Sequence, residues 1–153
     1  MRILHVYKDY FPVLGGMENH IKTVAEAQAA GGNDVTVLVT GPSWKTSTES
    51  LGGVSVVKAG RMATVASTPL SVSLPLCLRR ERPDIVHLHH PYPVGEVAQL
   101  IFSRGTATIL TYHSDIVRQK TYLRFYRPLL RRLLKRVDGI IATSDRYIVT
   151  SEH

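Results

Sequence analysis

The sequence predicts an α/β domain: a doubly wound, mainly parallel sheet with helices on both faces. Two observations predict it. Short apolar runs such as Arg2-Ile3-Leu4-His5-Val6 and Asp34-Val35-Thr36-Val37-Leu38-Val39 recur along the chain, and segments with helical spacing of apolar residues lie between most of them. Continuous apolar strands need cover on both faces, and parallel neighbours need a crossover connection that a helix supplies. Such a Rossmann-like sheet gathers its ligands at the carboxyl ends of its strands.

The elements follow in order. The first strand spans residues 2–7, and residues 8–14 form a polar-aromatic loop. A helix over 16–30 places Ile21, Val24, Ala25 and Ala29 near one face, and Gly31-Gly32 stops it. The second strand covers 34–39, a Gly/Ser/Thr-rich connection 40–53, and a third, shorter strand 54–58. After a looser stretch, 59–67, a helix is expected from about Pro69 to Arg80. Asp84-Ile85-Val86-His87-Leu88-His89 is the fourth strand; the helix over 93–103 offers Val97, Leu100 and Ile101 to a buried face. The fifth strand is 107–112, a basic helix bent at Pro128 covers 120–136, and Gly139-Ile140-Ile141-Ala142-Thr143 is the sixth strand. From Asp145 a further helix begins, and the chain stops within it.

At 153 residues the chain is the size of one domain and can bury a core. Its single cysteine, Cys77, excludes an internal disulfide and reads as a small buried apolar residue rather than a nucleophile. Met1-Arg2 runs straight into a strand and no apolar run reaches the roughly 18 residues of a membrane span, so a cytoplasmic location is expected. The net charge of +7 is local. Eight of the 19 Lys and Arg residues fall from Arg118 to Arg136, where there is no Asp or Glu, leaving 11 basic against 12 acidic residues elsewhere. This is a near-neutral domain with one cationic segment, and nucleic acid is not an expected partner.

The segments after strands one, four and five should share one rim. They hold Gly15, Gly16 and Glu18, then His89-His90-Pro91, then Tyr112-His113-Ser114-Asp115. Two glycines at the mouth of a helix allow close approach of a phosphate or sugar hydroxyl to backbone N–H groups. A dinucleotide fingerprint fails, because the glycines come nine positions after Val6 and there is no third. A P-loop fails for want of Gly-Lys-Ser/Thr. No metal is expected, since His87, His89 and His113 lack carboxylates at ligand spacing. Ser114 and Asp115 stand too close to His113 to form a triad.

The opening strand, the loop with Pro12 and Gly15-Gly16-Met17-Glu18, the helix to Gly31-Gly32-Asn33-Asp34-Val35, and the later segments 84–89, 111–115 and 138–144 together resemble the N-terminal domain of family-4 glycosyltransferases, retaining enzymes of the GT-B fold. The resemblance covers essentially the whole chain. It implies an acceptor-side domain, 1–153, with a nucleotide-sugar domain and its Glu-x7-Glu region beyond it; alone, the fragment is expected to be inactive. Gly15 and Gly16 match the glycine loop that approaches the donor diphosphate, and His113 a histidine beside the reacting centre. Glu18 and His89 fall at acceptor-side or structural positions. A nucleotide-sugar and a hydroxyl-bearing acceptor (sugar, lipid-linked sugar or lipid) are the implied substrates, with no metal or other cofactor.

The basic helix sets Arg124, Arg127, Arg131 and Lys135 against Tyr122, Tyr126, Leu130, Leu133 and Leu134. It reads either as a helix packed on the sheet with a solvated cationic face or as a surface for anionic lipid headgroups. Two other functions fit the chain: a non-catalytic module presenting this helix to a membrane or partner, and a stand-alone phosphosugar-binding regulator.

Overall fold

The computed structural model describes residues 1–65, 68–102, 107–113 and 120–143, with the side chains of 120–125 left out. The elements are β1 (Arg2–Val6), α1 (Gly16–Ala30), β2 (Asp34–Thr40), β3 (Ser47–Leu51), β4 (Val54–Ala59), β5 (Ala63–Val65), β6 (Thr68–Leu70), α2 (Ser73–Glu81), β7 (Ile85–His90), α3 (Pro93–Phe102), β8 (Ala107–Tyr112), α4 (Lys120–Leu134) and β9 (Gly139–Ala142). Seven strands form one sheet in the order β3-β4-β2-β1-β7-β8-β9. Every pairing is parallel except β3 with β4. β1 leads to β2 on one side and pairs with β7 on the other, so the winding reverses at β1/β7. That reversal opens a crevice at the carboxyl ends of these strands.

The core follows from the apolar runs. Leu4, Val37, Leu38, Val54, Val56 and Leu110 are fully buried within the sheet. Helix α1 adds Ile21 and Ala25, and α4 adds Leu130 and Leu133. Each fully buried Leu or Ile side chain contributes about 1.5–3 kcal/mol by leaving water.

Three expectations are corrected. The connection 40–53 contains β3, an antiparallel edge strand whose exposed Ser-Thr-Glu-Ser-Leu sequence lacks an apolar run. Gly52 (φ 59°) and Gly53 (φ 80°) form the two-residue turn that joins it to β4, a turn in which both central residues need positive φ. Pro69 sits in the β5–β6 hairpin, not in a helix; α2 starts at Ser73, where the Ser71 hydroxyl accepts a hydrogen bond from the Leu74 N–H at 3.1 Å. Helix α3 turns its polar residues inward: Glu96 and Gln99 are buried and Ile101 is 63% exposed. Glu96 Oε1 accepts from the Tyr92 N–H and Gln99 Nε2 donates to Thr108 Oγ1, so each buried group has one partnered atom, while Glu96 Oε2 and Gln99 Oε1 have no hydrogen-bond partner. The helix expected from Asp145 lies outside the described residues.

Candidate functional site

Helix α1 brings Gln28 to His5 of β1 and His20 to His89 of β7 on one face of the sheet. His5 of β1 is in register with His87 of β7, and His89 follows two residues on, so all three rings share the face that α1 covers. They stack, with His5 and His87 centroids 4.9 Å apart and His87 and His89 4.4 Å apart. His113, one residue past β8, extends the stack at 5.4 Å from His89. His20, on the first turns of α1, meets the His113 ring edge-on at 5.1 Å.

Hydrogen bonds run through this array. Gln28 Oε1 lies 2.7 Å from His5 Nε2; His5 Nδ1 lies 3.0 Å from His89 Nε2; and His89 Nδ1 lies 3.2 Å from His113 Nε2. His87 is held apart by Thr111, at 2.6 Å from its hydroxyl. Burial makes the charged imidazolium costly, so the stack is neutral. Burial chiefly holds His5 below the usual 6.5 and His89 well below it. It also brings His87 down to about 3 and His113 to about 4, with the neighbouring histidines adding to the effect.

On the opposite face His90 Nδ1 pairs with Glu96 Oε1 at 3.0 Å, and its ring stacks on Tyr112 at 4.5 Å. Both side chains are buried. The His89-His90 pair thus serves two faces, one residue to each.

The two glycines have different roles. A Cβ on Gly15 would strike the Glu18 carboxylate, which is folded back and buried against it. A Cβ on Gly16 would meet nothing within 4 Å. Neither glycine has positive φ. A side chain at 15 therefore requires the Glu18 carboxylate to shift, while nothing within the described domain requires glycine at 16. Gly15→Ala is expected to displace the Glu18 side chain and cost on the order of 1 kcal/mol. Glu18→Ala in the same chain should remove most of that cost; a thermal-denaturation cycle that gives additive losses would contradict the contact.

Among the residues expected at the site, the structure joins His89 directly to His113. His89 is fully buried, so it stands behind His113 rather than on the open rim. Glu18 supports Gly15. His5, His20 and Gln28 also belong to the cluster, and His20, four residues after Gly16, is the link between the glycine turn and His113. Two histidine triads, His5/His87/His89 and His20/His89/His113, bring ligand-type nitrogens within 4.8 Å. Both nitrogens of His89 are already engaged by other rings. Ser114 and Asp115 lie outside the described residues. On and beyond α4, Arg131 and Lys135 are exposed and Arg127 is half-buried; the side chain of Arg124 lies outside the described set.

A mainly parallel α/β sheet with a glycine turn after its first strand and a histidine cluster beside it defines a Rossmann-like domain. Comparison with known proteins makes this specific. The family described as Glycosyltransferase Family 4 matches residues 14–148, and the chain belongs to that family. It is 34% identical to O-antigen chain mannosyltransferase C of Escherichia coli, over 99% of this chain and 42% of that protein. It is 35% identical to D-rhamnosyltransferase WbpZ of Pseudomonas aeruginosa, over 99% of this chain and 41% of that protein. The fold matches a solved sucrose-phosphate synthase from Thermosynechococcus elongatus with a TM-score of 0.67 at 15% identity, over 96% of this chain and 43% of that one. The chain thus spans about two fifths of the length of these relatives.

Proposed function

We propose that residues 1–153 are the N-terminal, acceptor-side domain of a glycosyltransferase that moves a sugar from a nucleotide-sugar to an acceptor hydroxyl with retention of configuration. The observation that carries this reading is the match to relatives named as a mannosyltransferase and a D-rhamnosyltransferase over 99% of the chain. D-Rhamnose is 6-deoxymannose, so the shared donor chemistry is a manno-configured hexose. A third relative is named as GDP-mannose-dependent, which makes GDP-mannose the first donor to try. Gly16 would bring its backbone close to the donor diphosphate, and His113 would contact the transferred sugar; neither needs a metal or another cofactor. Backbone N–H groups at a helix start stabilise charge that develops on the leaving phosphate. The test is donor turnover by the full-length protein, with Gly16→Trp and His113→Ala beside it.

A second reading concerns where the enzyme works. Arg131, Arg132, Lys135 and Arg136 are exposed together at the end of α4, and no described helix is long and apolar enough to cross a membrane. We place this surface against anionic headgroups on the cytoplasmic face of a membrane, where a lipid or lipid-linked acceptor would be presented. Each basic residue near such a surface contributes about 1 kcal/mol, screened by salt. Vesicles containing anionic lipid should bind the protein less in high salt, and about fivefold less for each of Arg131→Ala, Arg132→Ala and Lys135→Ala. Equal binding to neutral vesicles would leave the surface without this role.

A further inference from the structure

The relay from Gln28 to His113 has a direction. Gln28 Oε1 is a carbonyl oxygen, which only accepts, so His5 Nε2, 2.7 Å away, holds the proton. A neutral imidazole has one ring proton. His5 Nδ1 is then bare and accepts from His89 Nε2–H at 3.0 Å. His89 Nδ1 is bare in turn and accepts from His113 Nε2–H at 3.2 Å. The last atom is His113 Nδ1, left as a lone pair on a half-buried ring.

The neutrality this requires comes from burial. His5 and His89 are fully buried, and the rings packed against them are histidines and, edge-on to His89, Tyr7. No described carboxylate is paired with the relay. His87 is committed to the Thr111 hydroxyl, and His20 meets the relay through ring-edge contacts. Among the described residues, Gln28 is thus the one side chain outside the rings that hydrogen-bonds a ring of the His5–His89–His113 relay.

We propose that Gln28, acting through His5 and His89, fixes His113 as its Nε2–H tautomer, so that the rim presents Nδ1 as a hydrogen-bond acceptor to a ligand hydroxyl. This rests on the proposed sugar-binding role of His113, and it makes His113 the acceptor in that contact. Gln28, His5 and His89 are positioning residues; none of them touches the ligand. A site ending in a bare nitrogen selects a group that can donate. It favours a sugar hydroxyl and disfavours fluorine or a carbonyl at the same place, because two facing acceptors repel and both lose their water.

The direct test is 15N NMR of the protein labelled in histidine, at neutral pH, where the two ring nitrogens of each tautomer have distinct shifts. The wild type should show His5, His89 and His113 all protonated at Nε2. Gln28→Leu should leave mixed tautomers. Gln28→Lys, which offers only donors, should move the proton to Nδ1 in all three rings. A wild-type His113 protonated at Nδ1 overturns the relay, and this measurement needs no variant to fold. In the full-length enzyme Gln28→Lys should lower kcat/KM for the natural donor about tenfold, the worth of one hydrogen bond of about 1.4 kcal/mol. A donor with fluorine in place of the contacted hydroxyl should lose less in Gln28→Lys than in the wild type. Tautomers as proposed with unchanged turnover in both variants would leave the relay standing and remove His113 from the sugar site.

Discussion

Acidification from neutral pH to about pH 5.5 is expected to lower the stability of this domain, by about 1 kcal/mol through His87 alone, with His5 and His89 adding in the same direction. All three are buried, and each is held below its ordinary value of 6.5. The unfolded chain therefore takes up protons first as pH falls. The stabilisation is complete above the unfolded value and is lost progressively below it, towards the folded value of about 3 for His87. At one unit below the unfolded value His87 costs about 1 kcal/mol. The paired carboxylate Asp84 is held below 3.8, so its own loss begins only in stronger acid and does not overlap this window. Urea denaturation at the two pH values measures the difference. Flat stability across that interval would mean the stack is already protonated or is open to water.

Gly16→Trp in the full-length protein should leave the folded domain intact and cut donor turnover by roughly 100-fold or more, the scale of losing a main-chain donor to the leaving group. Position 16 is the first residue of α1, its backbone is compatible with any L residue, and a Cβ there points into open space. The substitution therefore adds bulk in open space, on the side where the donor diphosphate is proposed to lie. His113→Ala should also reduce turnover, with a smaller effect, because it removes one hydrogen bond and some packing. Gly15→Ala is a useful contrast: its cost falls on Glu18 and on stability.

The fold was legible wherever burial on both faces forced a continuous apolar run. Residues 107–112 and 16–30 have the bounds that the sequence pattern predicts. β3 escaped because an edge strand needs only backbone pairing on one side, and Ser47-Thr48-Glu49-Ser50 has no core face to display. Its signal was Gly52-Gly53, a two-residue hairpin turn that also resembles ordinary loop composition. The inward face of α3 was misassigned for the opposite reason: Glu96 and Gln99 bury themselves by satisfying His90, Tyr92 and Thr108, partners that no helical period reveals.

The site was legible as a rim and not as a network. Topology alone places Gly15, Gly16, His89 and His113 at strand ends on one edge. His5, within an apolar strand, has no sequence mark that separates it from a core residue. Its importance comes from the β1/β7 register, which sets it opposite His87, and from α1, which brings Gln28 and His20 over the same face. Those contacts depend on long-range pairing, so local pattern could not supply them.

The central claim is that the open side of Gly16 and the His113 ring face a transferred sugar. Its most direct measurement is the steady-state turnover of GDP-mannose by the full-length protein, compared among wild type, Gly16→Trp and His113→Ala, with thermal stability recorded for each. The wild type should be active, and Gly16→Trp should keep its unfolding temperature. The value of kcat/KM should be lowered roughly 100-fold for Gly16→Trp and about tenfold or more for His113→Ala. An active wild type with full turnover in both folded variants would contradict the claim.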